Sequence, residues 1–281
     1  MVERFHGMEE VSGSIPLWST RMKLYLSVIK FNWLKILAYP FEIIAFFAGR
    51  FIALGFLALF WYAIAMSSSG GIDFRPLIAY FFIAAAVREV TYGQDTKFGR
   101  YIQQLVNRGE INNHFIKPIK TVPYLFFSYA GETGLGMFYA LATLIIGLVI
   151  LPPMTWFNVL AFLIFIIFAL IISLCFNVIV GLLSFYSPEA NGFRNAFNHV
   201  NKILSGSLIP INLFPTGIKE ILLLLPFPAL IFSPAYVLQN QLGVAELLQL
   251  FLPALFWSII LIFITRYFWR RSVKTYEGVG V

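Results

Sequence analysis

Ser205-Gly206-Ser207-Leu208-Ile209-Pro210-Ile211-Asn212-Leu213-Phe214-Pro215 closes an apolar run. A helix that meets Pro210 and Pro215 four and nine residues past a glycine has to break. At membrane depth, broken backbone is tolerated only against protein or a water-filled cavity. The composition makes membrane depth the relevant setting. The chain is 59% hydrophobic and 12% charged, whereas a soluble domain carries about 25% charged residues. Mean hydropathy is +0.82, which agrees with lipid as the main solvent. Too little polar sequence is left for a separate soluble domain.

Working outward from that break, the pattern predicts an all-α polytopic membrane protein in one transmembrane domain, 1–281. A span needs about 20 apolar residues. Six runs qualify, at 41–67, 76–94, 122–151, 157–185, 195–213 and 245–266. Residues 14–38 alternate Leu, Ile, Phe and Trp with Arg21, Lys23, Lys30 and Lys35, which suits an in-plane amphipathic helix. Residues 216–240 are apolar but carry Pro226, Pro228 and Pro234, and read as a re-entrant helical hairpin on the outer face. Residues 95–120 form the one sizeable polar loop. The first twenty residues hold Arg4, His6, Glu9 and Glu10, so no cleaved secretory signal is expected there.

Lys and Arg set the orientation. With the N-terminus inside, fifteen basic residues fall on the inner side and two, Arg75 and Lys219, on the outer side. Both termini are therefore expected in the cytoplasm. The net charge of +7 belongs to topology and to anionic membrane lipids, not to nucleic acid.

Several chemistries lack their residues. There is no G-x-x-x-x-G-K-[ST] loop for nucleotide phosphates and no H-E-x-x-H. His6, His114 and His199 are far apart, which argues against a histidine metal site. The single cysteine, Cys175, allows no intrachain disulfide. No carboxylate cluster suits a membrane-embedded transferase. The chain itself is expected to be non-catalytic.

The loop is more informative. Ile102, Leu105 and Val106 fall on one face of a short helix, and Asn107-Arg108-Gly109 reads as its end. Such a helix either inserts into a cleft on a partner or lies on the headgroups. The residues alone leave both open.

At two places the chain resembles the membrane (permease) subunits of type-2 ABC exporters. One is Arg108-Gly109-Glu110-Ile111-Asn112-Asn113-His114-Phe115-Ile116-Lys117-Pro118-Ile119, after span two; His114 and Phe115 stand where the family often has aliphatic residues. The other is the stretch 205–215 closing span five. The element order is similar as well. The resemblance implies a permease that dimerises with an identical or related subunit in a bacterial cell membrane. It implies separate cytoplasmic ABC ATPase subunits that hold the ATP and Mg, with no cofactor on this chain. The ATPase-coupling residues would be Arg100, Gln104, Asn107, Arg108, Gly109, Glu110, Asn112 and His114. Ser205, Gly206, Pro210 and Pro215 would form the helix break at the outer end of the path.

Three charges fall near the midplane: Arg50, Glu132 and Lys202. Each costs about 2.5–3.5 kcal/mol at a helix centre unless partnered. Pairing Glu132 with Arg50 or Lys202 is the cheapest arrangement, either as structural packing or as a polar patch beside the path. Arg88 and Glu89 fall nearer the cytoplasmic edge of span two, where Arg88 has Glu42 or the headgroups as partners. Trp61-Tyr62 and Tyr267-Phe268-Trp269 are expected at the interfaces. The rival function is an ion- or proton-driven secondary transporter with Glu132 as proton carrier.

Overall fold

The computed structural model describes residues 26–27, 30–31, 33–34, 37–67, 73–91, 96–115, 121–132, 134–186 and 190–275. Most of the expected in-plane helix, 14–38, lies outside them. The described residues from Leu26 to Leu37 are helical, and Trp33 packs edge-on against Phe138 with centroids 5.2 Å apart.

The described residues are all-α, without a strand. In chain order they form α1 (Pro40–Ser67), α2 (Phe74–Thr91), α3 (Lys97–Asn107), α4 (Asn112–Phe115), α5 (Thr121–Glu132) and α6 (Gly134–Ile150). Then come α7 (Trp156–Leu182), α8 (Asn191–Leu204), α9 (Thr216–Leu223), α10 (Phe232–Gln239) and α11 (Val244–Thr275). Three of these, α1, α7 with its 3-10 extension to Phe185, and α11, are long and apolar enough to cross a membrane. A fourth crossing is possible if α5 and α6 count as one span, and these are bent by 63° at their junction.

The six-span pattern is therefore not what the described helices present. Expected span five, 195–213, is the clearest difference. Its helix, α8, has 14 residues and stops at Leu204, about 21 Å of helix at 1.5 Å per residue. Expected span two, 76–94, becomes α2, an 18-residue helix that includes Arg75, Arg88 and Glu89 and is too charged to be an apolar span.

α7 is the central element. It packs against α11, α3 and α10. Its Thr155 cap accepts a hydrogen bond from the Asn158 amide, and the Asn158 carboxamide donates to the carbonyls of Val237 and Asn240 at 2.9 and 2.7 Å. That ties the start of α7 to α10.

α2 pairs with α6 through small residues. Gly136, Ala140, Thr143 and Gly147 recur at helical spacing and are buried. A Cβ on Gly147 would lie 2.8 Å from Ile83 Cγ1 and 3.3 Å from the Ala79 carbonyl oxygen. Only a residue without a side chain lets the helices approach that closely. Gly136 and Gly147 thus serve packing within the chain.

The charges of the membrane region meet on this pair. Arg50 of α1 forms an ion pair with Glu89 of α2, and Arg88 Nε lies 3.6 Å from the same carboxylate oxygen. The guanidinium of Arg50 also sits 5.2 Å from the Phe46 ring centroid and 6.0 Å from that of Tyr139. Arg50 therefore has Glu89 as a carboxylate partner; the expected pairing of Glu132 with Arg50 or Lys202 falls on a side chain outside the described residues. Arg88 does not need Glu42. Glu89 was assigned to the cytoplasmic edge of its helix in sequence, so its reach to α1 was not visible. Trp61 also departs from expectation. It is buried, 6% exposed, rather than part of an interfacial belt.

Removing Glu89 strands Arg50 in an apolar setting. Because the pair keeps some exposure, the expected cost of Glu89→Gln is about 2 kcal/mol, below that of a fully buried pair. The double variant Arg50→Met/Glu89→Leu should recover most of it. Thermal unfolding in detergent, followed by tryptophan fluorescence, measures both; equal losses would show the pair to be unimportant.

Candidate coupling helix and broken-helix site

α3 has two unlike faces. Phe98, Ile102, Leu105 and Val106 are buried in a small core with Ile111, Leu125, Tyr129, Val178 and Leu182. Arg100, Gln104 and Asn107 lie on the exposed side, at helical spacing of four and three residues. The apolar stripe continues back to Gly99, where α3 crosses α7. A Cβ on Gly99 would fall 2.6 Å from the Asn177 carbonyl oxygen, and one on Gly181 would fall 2.9 Å from Ile102 Cβ. The Gly99 amide donates to Asn177 Oδ1 at 3.1 Å, while Asn177 Nδ2 donates to the Ser173 carbonyl at 2.9 Å. The helix is locked backbone to backbone.

The end of α3 follows from Gly109, which has φ of 71°. Its amide donates to the Val106 carbonyl at 3.0 Å, a glycine-capped termination. Arg108 and Glu110 flank it with side chains 67% and 50% exposed and 3.9 Å apart. Exposed charges held that loosely contribute little to stability and are available to a partner. Asn112 begins the four-residue α4 and is exposed. His114, half-buried, packs its ring 5.5 Å from that of Tyr124 on α5.

The break sits at the other end of α8. Gly206 has φ of 81°, a conformation that disfavours side chains. Three elements hold it. The Tyr80 hydroxyl of α2 donates to the Gly206 carbonyl at 2.7 Å, and Trp61 Nε1 of α1 donates to the Leu208 carbonyl at 3.1 Å. The Phe232 amide of α10 donates to the Ser205 carbonyl at 3.0 Å. Carbonyls released by the broken helix thus find protein donors, as the bilayer demands. Ser205 and Pro210 are buried, and Pro215 caps the exposed start of α9.

α8 connects the break to α3. Its Phe193, Val200 and Ile203 are exposed, whereas Arg194 and Asn201 are buried. Arg194 Nη1 donates to Gln103 Oε1 of α3 at 2.6 Å. Lys202 lines a polar cavity between α3 and α8.

Sequence reading identified the loop and the break but passed over the residues that fasten them. Gly99 was readable, since 99, 102, 103 and 106 share one helical face. Asn177 and Gly181, four apart in an apolar helix, formed a second signal. Tyr80 gave none.

The family described as ABC-2 family transporter protein matches residues 51–280 of the chain. No match was found among curated proteins. With a family match over most of its length and helices suited to crossing a bilayer, the chain belongs to the ABC-2 transporter family and is a multi-pass membrane permease component.

Proposed function

We propose that the chain is the transmembrane subunit of an ATP-driven exporter, working as a dimer with cytoplasmic ATPase subunits that carry ATP and Mg. The observation that carries this is α3: one face fastened to the central helix, the other polar and exposed. A short helix built that way can receive a push and pass it on. The ATPases push on α3 and the Gly109 turn, α7 moves with α3, and substrate leaves past the break at 205–215. In this reading α2 and α8 with its broken continuation complete six passes, and their charges face protein or the path. The hairpin of α9 and α10 dips into the outer face, and both termini are cytoplasmic.

Two sets of substitutions separate docking from transmission. Arg108→Ala/Glu110→Ala should reduce the ATPase recovered with the permease in mild detergent. Gly181→Val should leave recovery intact but lower transport per ATP about tenfold, within the range of ordinary coupling free energies. It does so by wedging α3 off α7. Unchanged recovery and unchanged transport per ATP in both would reject the loop as coupler. Transport driven by an ion gradient in ATP-free vesicles would instead favour a secondary carrier.

The break yields its own expectation. Tyr80→Phe leaves the Gly206 carbonyl without its donor and should cost about 1–3 kcal/mol. Gly206→Ala should cost more, because its Cβ would lie 2.8 Å from the Tyr80 hydroxyl and 2.9 Å from Phe232 Cβ. Denaturant titration in mixed micelles ranks the two.

A further inference from the structure

A cavity lies between α3 and α8 and shares Arg100 with the exposed coupling face of α3. Its volume is about 490 Å³, large enough for a small ligand or a lipid headgroup. Four cations line it: Lys97 and Arg100 from α3, Arg194 and Lys202 from α8. Asn198 and His199 join them, and no described lining residue is a carboxylate.

Arg194 is the most buried of the four cations. It is 5% exposed, and its Nε makes no hydrogen bond among the described residues. An arginine stays protonated even when buried. Its Nη1 is spent on Gln103, a neutral partner that brings no countercharge.

The remaining polar groups are set as donors. The Thr96 amide and hydroxyl both donate to Asn198 Oδ1, at 3.1 and 2.9 Å. That commits the amide oxygen and leaves the NH₂ of Asn198 to donate. The site therefore combines forked guanidinium donors, ammonium point charges and a carboxamide donor.

We propose that this cavity binds a phosphate group, with Arg100 and Arg194 as forked donors and Lys97 and Lys202 as point charges. Guanidinium groups match phosphate oxygens in pairs, and the lysines add charge without a fixed geometry. Two sources carry this chemistry: the headgroup of an anionic phospholipid and a free phosphate. The apolar outward face of α8, with Phe193, Val200 and Ile203 exposed, sets the cavity beside lipid if the helix lies at the inner leaflet. That lipid source rests on the orientation proposed above; the binding chemistry does not.

The test uses the purified full chain without ATPase or nucleotide, so its outcome is independent of coupling. Nanodiscs of phosphatidylcholine with a minority of phosphatidylglycerol supply the lipid arm, read by native mass spectrometry of retained lipid. Inorganic phosphate titrated calorimetrically into phosphatidylcholine-only nanodiscs supplies the other arm. Arg100→Gln/Lys202→Gln should weaken binding about tenfold for each cation removed. Buried Arg194 is left in place so that folding is not at issue. Arg266→Gln/Arg270→Gln, which removes equal charge elsewhere on the inner side, should bind like the wild type. Loss confined to phosphatidylglycerol assigns a headgroup site, and loss of phosphate binding assigns a free-phosphate site. The proposal is overturned if the wild type takes neither probe, if the cavity variant binds both as the wild type does, or if both variants lose binding equally.

Discussion

The crossing of Gly99 over Gly181 is the contact on which the polar loop depends. Neither position has room for a Cβ, so α3 and α7 meet backbone to backbone. Asn177 fixes the crossing by accepting from the Gly99 amide. Ile102 fills the angle between the helices and is fully buried. Packed surfaces of this kind resist compression. A displacement of α3 must therefore appear as a displacement of α7.

α7 belongs to two cores at once. Val178 and Leu182 close the small core under α3, while Phe165, Ile172 and Cys175 belong to the large one. The large core also holds Phe232 of α10, whose amide supports the Ser205 carbonyl. A continuous run of packed elements thus leads from α3 through α7 and α10 to the broken helix. α1 and α2 reach the same break independently, through Trp61 and Tyr80. Three elements, α1, α2 and α10, thus converge on a stretch of backbone whose own helical hydrogen bonds are confined to the end of α8 and one 3-10 turn at Ile211–Leu213. Rearranging the break therefore requires the surrounding helices to move as bodies, the usual form of a switching transition.

Much of this was legible in the sequence. The helical class follows from apolar runs, and the ends of α3 and α8 from Gly109 and Gly206. The buried face of α3 follows from the spacing of Ile102, Leu105 and Val106. Partners were less legible, because an ion pair such as Arg50–Glu89 is chosen by which helices lie side by side. Sequence position put Glu89 toward the cytoplasmic edge of span two, yet Arg50 on α1 reaches it. Trp61 illustrates the same limit. An indole near a helix end suits an interface in sequence, but the carbonyl of Leu208, 147 residues away, supplies its acceptor.

Hydropathy and burial run in opposite directions between α1 and α2, which explains why fewer than six of the described helices meet the length and apolarity of a span. α1 is strongly apolar, yet only Leu54 and Trp61 of its 28 residues are buried. α2 carries three charges, yet ten of its 18 residues are buried. A helix covered by other helices need not be apolar throughout, because its neighbours rather than lipid solvate its polar groups. An exposed helix has no such relief and must be apolar wherever lipid touches it. α8 extends the principle: Phe193, Val200 and Ile203 are exposed, while Arg194 and Asn201 are buried. The polarity of each helix thus reports what it faces, and in α2 and α8 the polar face turns toward protein and the interior cavity.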